Sequence, residues 1–317
     1  MFFMHMSAKL ILTTCLVAFG AVAITYWWWN LPYRRFPLSI PRAATDSLGS
    51  PLLAPTFPDL PYASKSGFEK LDLYLPKNRT GKIPVVIWIH GGGCTVGDKR
   101  SMPRKDFGPA PKPRGPYGPY QVQVPDVGAL LSKGFAVVSL NYHLGISVLT
   151  ASKSAVRDVK AAVRFLHEKA DVYGLDESRF VVWGNSMGGY MAAMIGVTGD
   201  QSTIFDDRSL ADVNARSDIS AVIVWFGAED RMPGKSLSLA YYVRTAKSLP
   251  AFLIVNGDKD PVISVAQATR LYDALIAAGA KARLTIVPGA GHEDPLFTET
   301  QMGPALAFID DALKGKL

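Results

Sequence analysis

Gly184-Asn185-Ser186-Met187-Gly188 places one serine between two glycines, after the apolar run Phe180-Val181-Val182-Trp183 and before the helical stretch Tyr190–Val197. A strand that turns sharply into a helix at such a serine holds its hydroxyl exposed and in a strained conformation, and the flanking glycines permit the turn. A hydroxyl is a weak nucleophile at neutral pH. It needs a base to take its proton and a carboxylate to orient the base. Two later loops offer both: Gly257-Asp258-Lys259-Asp260-Pro261 follows the apolar run Ala251–Asn256, and Pro288-Gly289-Ala290-Gly291-His292 follows Leu284–Val287. Where the nucleophile sits on a strand-to-helix turn, the chain order is serine, acid, histidine. Of the five histidines, His5 lies in an apolar leader, His167 falls on an amphipathic helix, and His90 and His143 precede the serine. His292 remains as the base. The acid is Asp258 or Asp260, with Glu229 and Asp230 as weaker alternatives; a turn aspartate such as Asp258 also serves to bond local backbone.

Upstream, His90-Gly91-Gly92-Gly93 follows the run Ile83–Ile89. Glycine lets backbone N–H groups approach one oxygen closely, as the oxyanion of an acyl-transfer intermediate requires. The N–H groups of Gly92, Gly93 and Met187, the last being the residue after the serine, are the candidate donors, and His90 reads as a structural residue that fixes the loop. Trp183 and Trp225 close apolar runs and read as core. No His/Cys/Asp/Glu spacing suggests a metal site, and no G-x-G-x-x-G opens a dinucleotide unit, so neither a metal nor a cofactor is expected.

The elements that must position these residues alternate. Phe68, Leu71, Leu73 and Leu75 suggest an early strand, and Ile83–Ile89 and Phe135–Leu140 are continuous apolar runs of the kind buried on both faces. Val156, Val159, Val163 and Leu166 recur at helical spacing, which predicts an amphipathic helix over Lys153–Lys169. Further strands are expected at Ile219–Phe226, Ala251–Asn256 and Leu284–Val287, with helices over Val265–Ala278 and Pro304–Leu313. The pattern is α/β: a mainly parallel central sheet with helices on both faces.

The 317 residues are 48% hydrophobic and 19% charged, and carry no evident internal repeat or low-complexity tract. That is the composition of a folded chain, and it excludes wholesale disorder. The formal net charge is +7. Much of the excess sits in Lys99, Arg100, Arg104, Lys105, Lys112 and Arg114, which read as a solvated loop or, alternatively, as a patch that steers anionic substrates. No aromatic-interleaved basic stripe accompanies them, so a nucleic-acid partner is not expected. The two cysteines, Cys15 and Cys94, imply no disulfide framework.

Lys9 precedes an apolar stretch that runs to Trp29 and includes Ala21-Val22-Ala23, a small-x-small signal-peptidase pattern. Residues 1–30 therefore read as a signal peptide or, if retained, a membrane anchor, since about twenty apolar residues suffice to span a bilayer. An exported, periplasmic or secreted, or else membrane-anchored location follows. Arg34 and Arg35 argue for the opposite orientation. Residues 31–61, proline-rich and without apolar periodicity, read as a linker, and residues 62–317 as the catalytic domain.

HGGGCTVGDK at 90–99, LNYHL at 140–144, AVRDVKAAVRFL, GNSMGGYMAAMIG, NGDKDPVIS and VPGAGHED occur in that order. Through them the chain from about Phe68 onward resembles the carboxylesterases of the α/β-hydrolase superfamily, particularly the bifunctional feruloyl and acetyl-xylan esterase-like group and the hormone-sensitive lipase-like group. The resemblance implies an α/β-hydrolase fold and hydrolysis of carboxylic esters through an acyl-serine intermediate. It assigns the acid to the second aspartate of the loop, Asp260. Cys94 stands where the family often has an aromatic residue and Met187 where it often has a small one, departures that imply a narrowed or reshaped acyl pocket. The segment Arg100–Gln123 is longer than the usual connection and is expected to cover the site. The same three side chains would also serve an amidase or peptidase, arylformamidase-like action included. A catalytically silent, membrane-tethered binding protein is the reading from a different class.

Overall fold

The computed structural model describes residues 53–78, 80–99, 127–199, 201–227, 232 and 234–317. The expected leader, most of the expected linker, the basic segment from Arg100 onward, and the alternative acids Glu229 and Asp230 lie outside the described residues.

In chain order the described elements are β1 (Phe57–Pro61), β2 (Lys70–Tyr74), β3 (Ile83–Ile89), α1 (Val127–Ser132), β4 (Ala136–Leu140), α2 (Val148–Glu168), α3 (Ala170–Tyr173) and β5 (Leu175–Asn185). They continue with α4 (Met187–Thr198), β6 (Ala221–Trp225), α5 (Leu239–Thr245), β7 (Ala251–Gly257), α6 (Val265–Ala277), β8 (Ala282–Val287) and α7 (Leu296–Leu313). The strands form one sheet in the order β1-β2-β4-β3-β5-β6-β7-β8. β1 and β2, and β2 and β4, pair antiparallel, and every pairing from β4 across to β8 is parallel.

Strand alternation distributes the apolar runs between two cores. In β3, Val85, Ile87 and Ile89 pack on the face covered by α2, α4 and α6, whereas Val86 and Trp88 pack on the face covered by α1 and α7. A strand buried on both sides can afford no polar position, which explains its continuous hydrophobicity. Trp183 and Trp225 meet edge to face at 4.9 Å in the second core, as their sequence positions suggested.

β3 is the strand from which the winding reverses, with β4 on one side and β5 on the other. The loops after β3 and β5 open at that switch point, where parallel α/β sheets form their crevices.

Several elements differ from expectation: α2 begins at Val148 and β5 at Leu175, ahead of the expected bounds, and α1, α3 and α5 were not expected. β1 falls within the stretch read as a linker, because its prolines and exposed side chains disguise an edge strand that pairs on one side only. The early strand is shorter than its apolar residues suggested and spans only Lys70–Tyr74. α7 begins at Leu296, well before Pro304, which lies inside it. Asp294 accepts the Leu296 N–H at 3.0 Å and Phe297 is fully buried, so an aspartate turn and packing start the helix before its proline.

Candidate active site

The turn from β5 into α4 leaves no room for side chains. A Cβ on Gly184 would stand 2.2 Å from the Gly188 carbonyl oxygen, and one on Gly188 would stand 2.0 Å from that of Ile89. Both distances are far inside contact, so glycine is obligatory at each. Between them Ser186 adopts φ +51° and ψ −121°, a strained backbone for any residue with a side chain. The sheet holds it there: the Ser186 N–H donates to the Trp225 carbonyl at 2.9 Å. Its own carbonyl accepts the Tyr190 N–H at 3.1 Å, which starts α4. Met187 is then the first helical residue, and helix geometry gives its N–H no intrahelical acceptor.

His292, in the loop after β8, has a side chain only 5% exposed. Its Nε2 lies 3.0 Å from Ser186 Oγ and its Nδ1 lies 2.8 Å from Asp260 Oδ2. Phe226 packs edge-on against the imidazole at 4.9 Å and passes the contact on to Phe297 at 4.5 Å. The Asp260 side chain is wholly buried. Its Oδ1 accepts the N–H groups of Val262 and Ile263, both at 2.8 Å, which fixes the carboxylate plane and turns Oδ2 toward the imidazole. Asp258 instead accepts the Gly289 N–H at 2.7 Å, tying the two loops together. Of the two aspartates, left open on spacing alone, it is Asp260 that is turned toward the imidazole.

The glycine loop folds back on itself. Gly92 and Gly93 have φ of +96° and +61°, and the Gly92 carbonyl accepts the N–H groups of Thr95 and Val96 at 3.0 and 3.1 Å. Each amide turns with its plane, so engaging this carbonyl in the turn sets the direction of the N–H that follows. His90 supports the start of the loop. Its Nδ1 lies 2.8 Å from the Gly91 carbonyl, and its ring stacks on Tyr142 at 4.3 Å. The Tyr142 hydroxyl lies 2.8 and 2.9 Å from the carbonyls of His90 and Gly91. Burial pushes the His90 pKa down, so the ring stays neutral and serves as scaffold. The His167 ring is engaged elsewhere, its Nε2 meeting the Asp218 carbonyl at 2.9 Å, and the His143 backbone N–H donates to Asp158 at 2.8 Å.

Cys94 and Met187 are buried in the larger core. The Cys94 thiol is pushed up to about 12 by burial, partly offset by a hydrogen bond with Ser152, so it is an inert packing group. Among the described residues no group of three or more His, Cys, Asp or Glu side chains is placed to hold a metal ion. No helix among them is long and apolar enough to cross a membrane.

Two residues were read differently or passed over in the sequence. Tyr142 stood in plain view after a strand but carried no signal of its partner. Lys99, grouped with the basic loop, is 2% exposed.

A histidine between a strained turn serine and a backbone-locked aspartate, on the carboxyl end of a sheet of this topology, is the arrangement of one superfamily. The sequence also matches the BD-FAE family over residues 71–108 and 119–237. The chain belongs to the α/β-hydrolase superfamily. This hydrolase-fold chain is similar to Esterase LipC of Mycobacterium tuberculosis, with 25% identity over 75% of its own length and 60% of the relative's. It thus spans about three fifths of that curated relative. Among solved structures it is similar to a truncated carbohydrate esterase from gut microbiota, at 26% identity and a TM-score of 0.63 over 81% of this chain and 96% of the other. A propionate-bound thermophilic esterase from Thermogutta terrifontis shares the fold at 18% identity and a TM-score of 0.65, over 89% and 98% of the two chains.

Proposed function

We propose that the chain is a serine-dependent carboxylic ester hydrolase. The observation that carries this reading is the position of His292, within hydrogen-bond distance of Ser186 on one nitrogen and of Asp260 on the other. Ser186 Oγ attacks the carbonyl carbon as its proton passes to His292 Nε2, and Asp260 steadies the imidazolium that forms. The oxyanion takes hydrogen bonds from the N–H groups of Gly92, Gly93 and Met187. As the tetrahedral intermediate collapses, His292 returns the proton to the departing alcohol, leaving an acyl-serine. Water, deprotonated by the same imidazole, releases the acid. The esterase relatives favour an ester over an amide leaving group.

Ser186→Ala should lower kcat on p-nitrophenyl acetate by at least about 1,000-fold with the fold intact by circular dichroism. Full activity in that variant overturns the assignment. Matched p-nitrophenyl ester and p-nitroanilide substrates test the leaving group, and a preference for the anilide would replace esterase with amidase. Residues 1–30 are proposed to direct export; amino-terminal sequencing of the protein from its native host should then begin at Ile24 if Ala21-Val22-Ala23 is cleaved.

A further inference from the structure

The glycine loop is anchored well beyond its glycines. At Lys99 the backbone N–H donates to Asn141 Oδ1 at 2.5 Å, and the carbonyl accepts the Ser139 hydroxyl at 2.6 Å. Next to it, Asn141 Nδ2 donates to Asp98 Oδ2 at 3.0 Å. The Lys99 side chain runs inward, only 1% exposed, and its ammonium lies 2.7 Å from Asp72 Oδ1 on β2 and 2.8 Å from Asp59 Oδ1 on β1. Asp72 is fully buried and also accepts the Asp59 N–H at 2.8 Å.

β1 is shaped to make that last contact. Its register against β2 slips between Phe57 and Leu60, and Asp59 in the slipped stretch has φ +54°. A bulge and a left-handed aspartate both cost conformational energy, and such features persist where they aim a particular group. Here they bring one residue's N–H and carboxylate onto the same buried pair.

A buried ion pair is poor evidence for added stability, because apolar side chains of equal volume commonly do as well or better. In some proteins a buried polar or ionic group instead specifies geometry. The segment that Lys99 ends needs such specification: Gly92, Gly93, Cys94 and Gly97 all have positive φ, a conformation that a free loop would not hold. His90 and Tyr142 secure its start, and the Cys94 carbonyl accepts the Gly145 N–H at 2.8 Å in its middle.

We propose that Lys99 is a positioning residue for the oxyanion cradle, fixing the far end of the glycine loop to the sheet edge through Asp72 and Asp59. It touches no substrate atom and acts through the backbone of residues 92–99. The inference rests on the reading of the Gly92 and Gly93 N–H groups as oxyanion donors.

Two variants and one probe test it, with p-nitrophenyl acetate as substrate. An aryl trifluoromethyl ketone, whose hemiketal with Ser186 carries a real oxyanion, reports on the cradle. Lys99→Met should lower kcat by about 10- to 100-fold with KM little changed, and weaken ketone inhibition by the same factor. Asp59→Asn removes only the solvent-facing partner and should fold normally, with a loss of roughly two- to fivefold in both quantities. A role in stability alone would lower Tm and leave kcat and ketone affinity together unmoved. Folded Lys99→Met with both quantities at wild-type values, or a loss confined to KM, overturns the proposal; if that variant does not fold, wild-type values in Asp59→Asn overturn it. Wild-type protein that the ketone does not inhibit, or an active Ser186→Ala variant, overturns the site reading and this inference with it. Normal wild-type inhibition with unaffected variants removes Lys99 alone.

Discussion

At the scale of single residues, two aspartates two positions apart do different work because their oxygens meet different groups. Asp260 spends one oxygen on two backbone N–H groups and turns the other to His292; Asp258 binds a backbone N–H of the neighbouring loop. Asp260→Asn should therefore reduce kcat by about 100- to 10,000-fold, since an amide favours the wrong imidazole tautomer. Asp258→Asn should leave kcat within about threefold and lower Tm by a few degrees, the loss of one charged hydrogen bond. Steady-state kinetics and thermal melts on the two proteins check both, and equal losses of kcat would sink the distinction.

At the scale of elements, α2 holds the loop after β4 in place through Asp158, which accepts the His143 N–H. Its pKa is raised to about 7, chiefly by burial and further by Glu69 and Asp207, with the hydrogen bond from His143 and the charge of Lys65 acting in the opposite direction. The folded protein thus retains this proton at pH values where the unfolded chain has lost it. Stability from that source is fully present below the unfolded pKa, declines as pH rises from about 4 to 7, and is absent above. Asp158→Asn, which keeps an acceptor for His143, should melt close to wild type at pH 4 and be more stable by roughly 2–4 kcal/mol at pH 8. Denaturant titrations at the two pH values measure the difference, and an unchanged gap between the proteins would contradict the assignment. The turn between β5 and α4 gives a second element-scale expectation. Gly188→Ala forces a methyl against the Ile89 carbonyl, so it should either fail to fold or lose several kcal/mol, with activity falling alongside.

At the scale of the whole molecule, the edge strand β1 connects to the site through its bulge. Trimming the chain to begin at Tyr62 removes Asp59, one of the two carboxylates that meet the Lys99 ammonium. The shortened protein should lose Tm and also kcat, the latter by about as much as Asp59→Asn. Comparison with a chain that begins at Leu53 measures it; lost Tm with kcat intact would confine β1 to a structural role.

Much of this was legible in the amino-acid sequence, for a physical reason. Strands buried on both faces are mostly apolar, so Ile83–Ile89 and most of β7, expected at Ala251–Asn256, announced themselves. A strained serine turn demands glycine at Gly184 and Gly188, and the loops bearing Asp260 and His292 must follow strands in fixed order. Local sterics and chain order pointed to the fold class, to Ser186 and His292, and to the pair Asp258 and Asp260, of which the family resemblance implied Asp260. Tertiary structure supplied the orientation of the two aspartates, with Asp260 facing the imidazole, and it alone decided that Lys99 is buried in place of solvated, that Tyr142 braces the glycine loop, and that Phe57–Pro61 is a strand. Each of those depends on partners contributed by distant segments, and no periodicity or spacing within a segment encodes the direction from which a distant partner arrives.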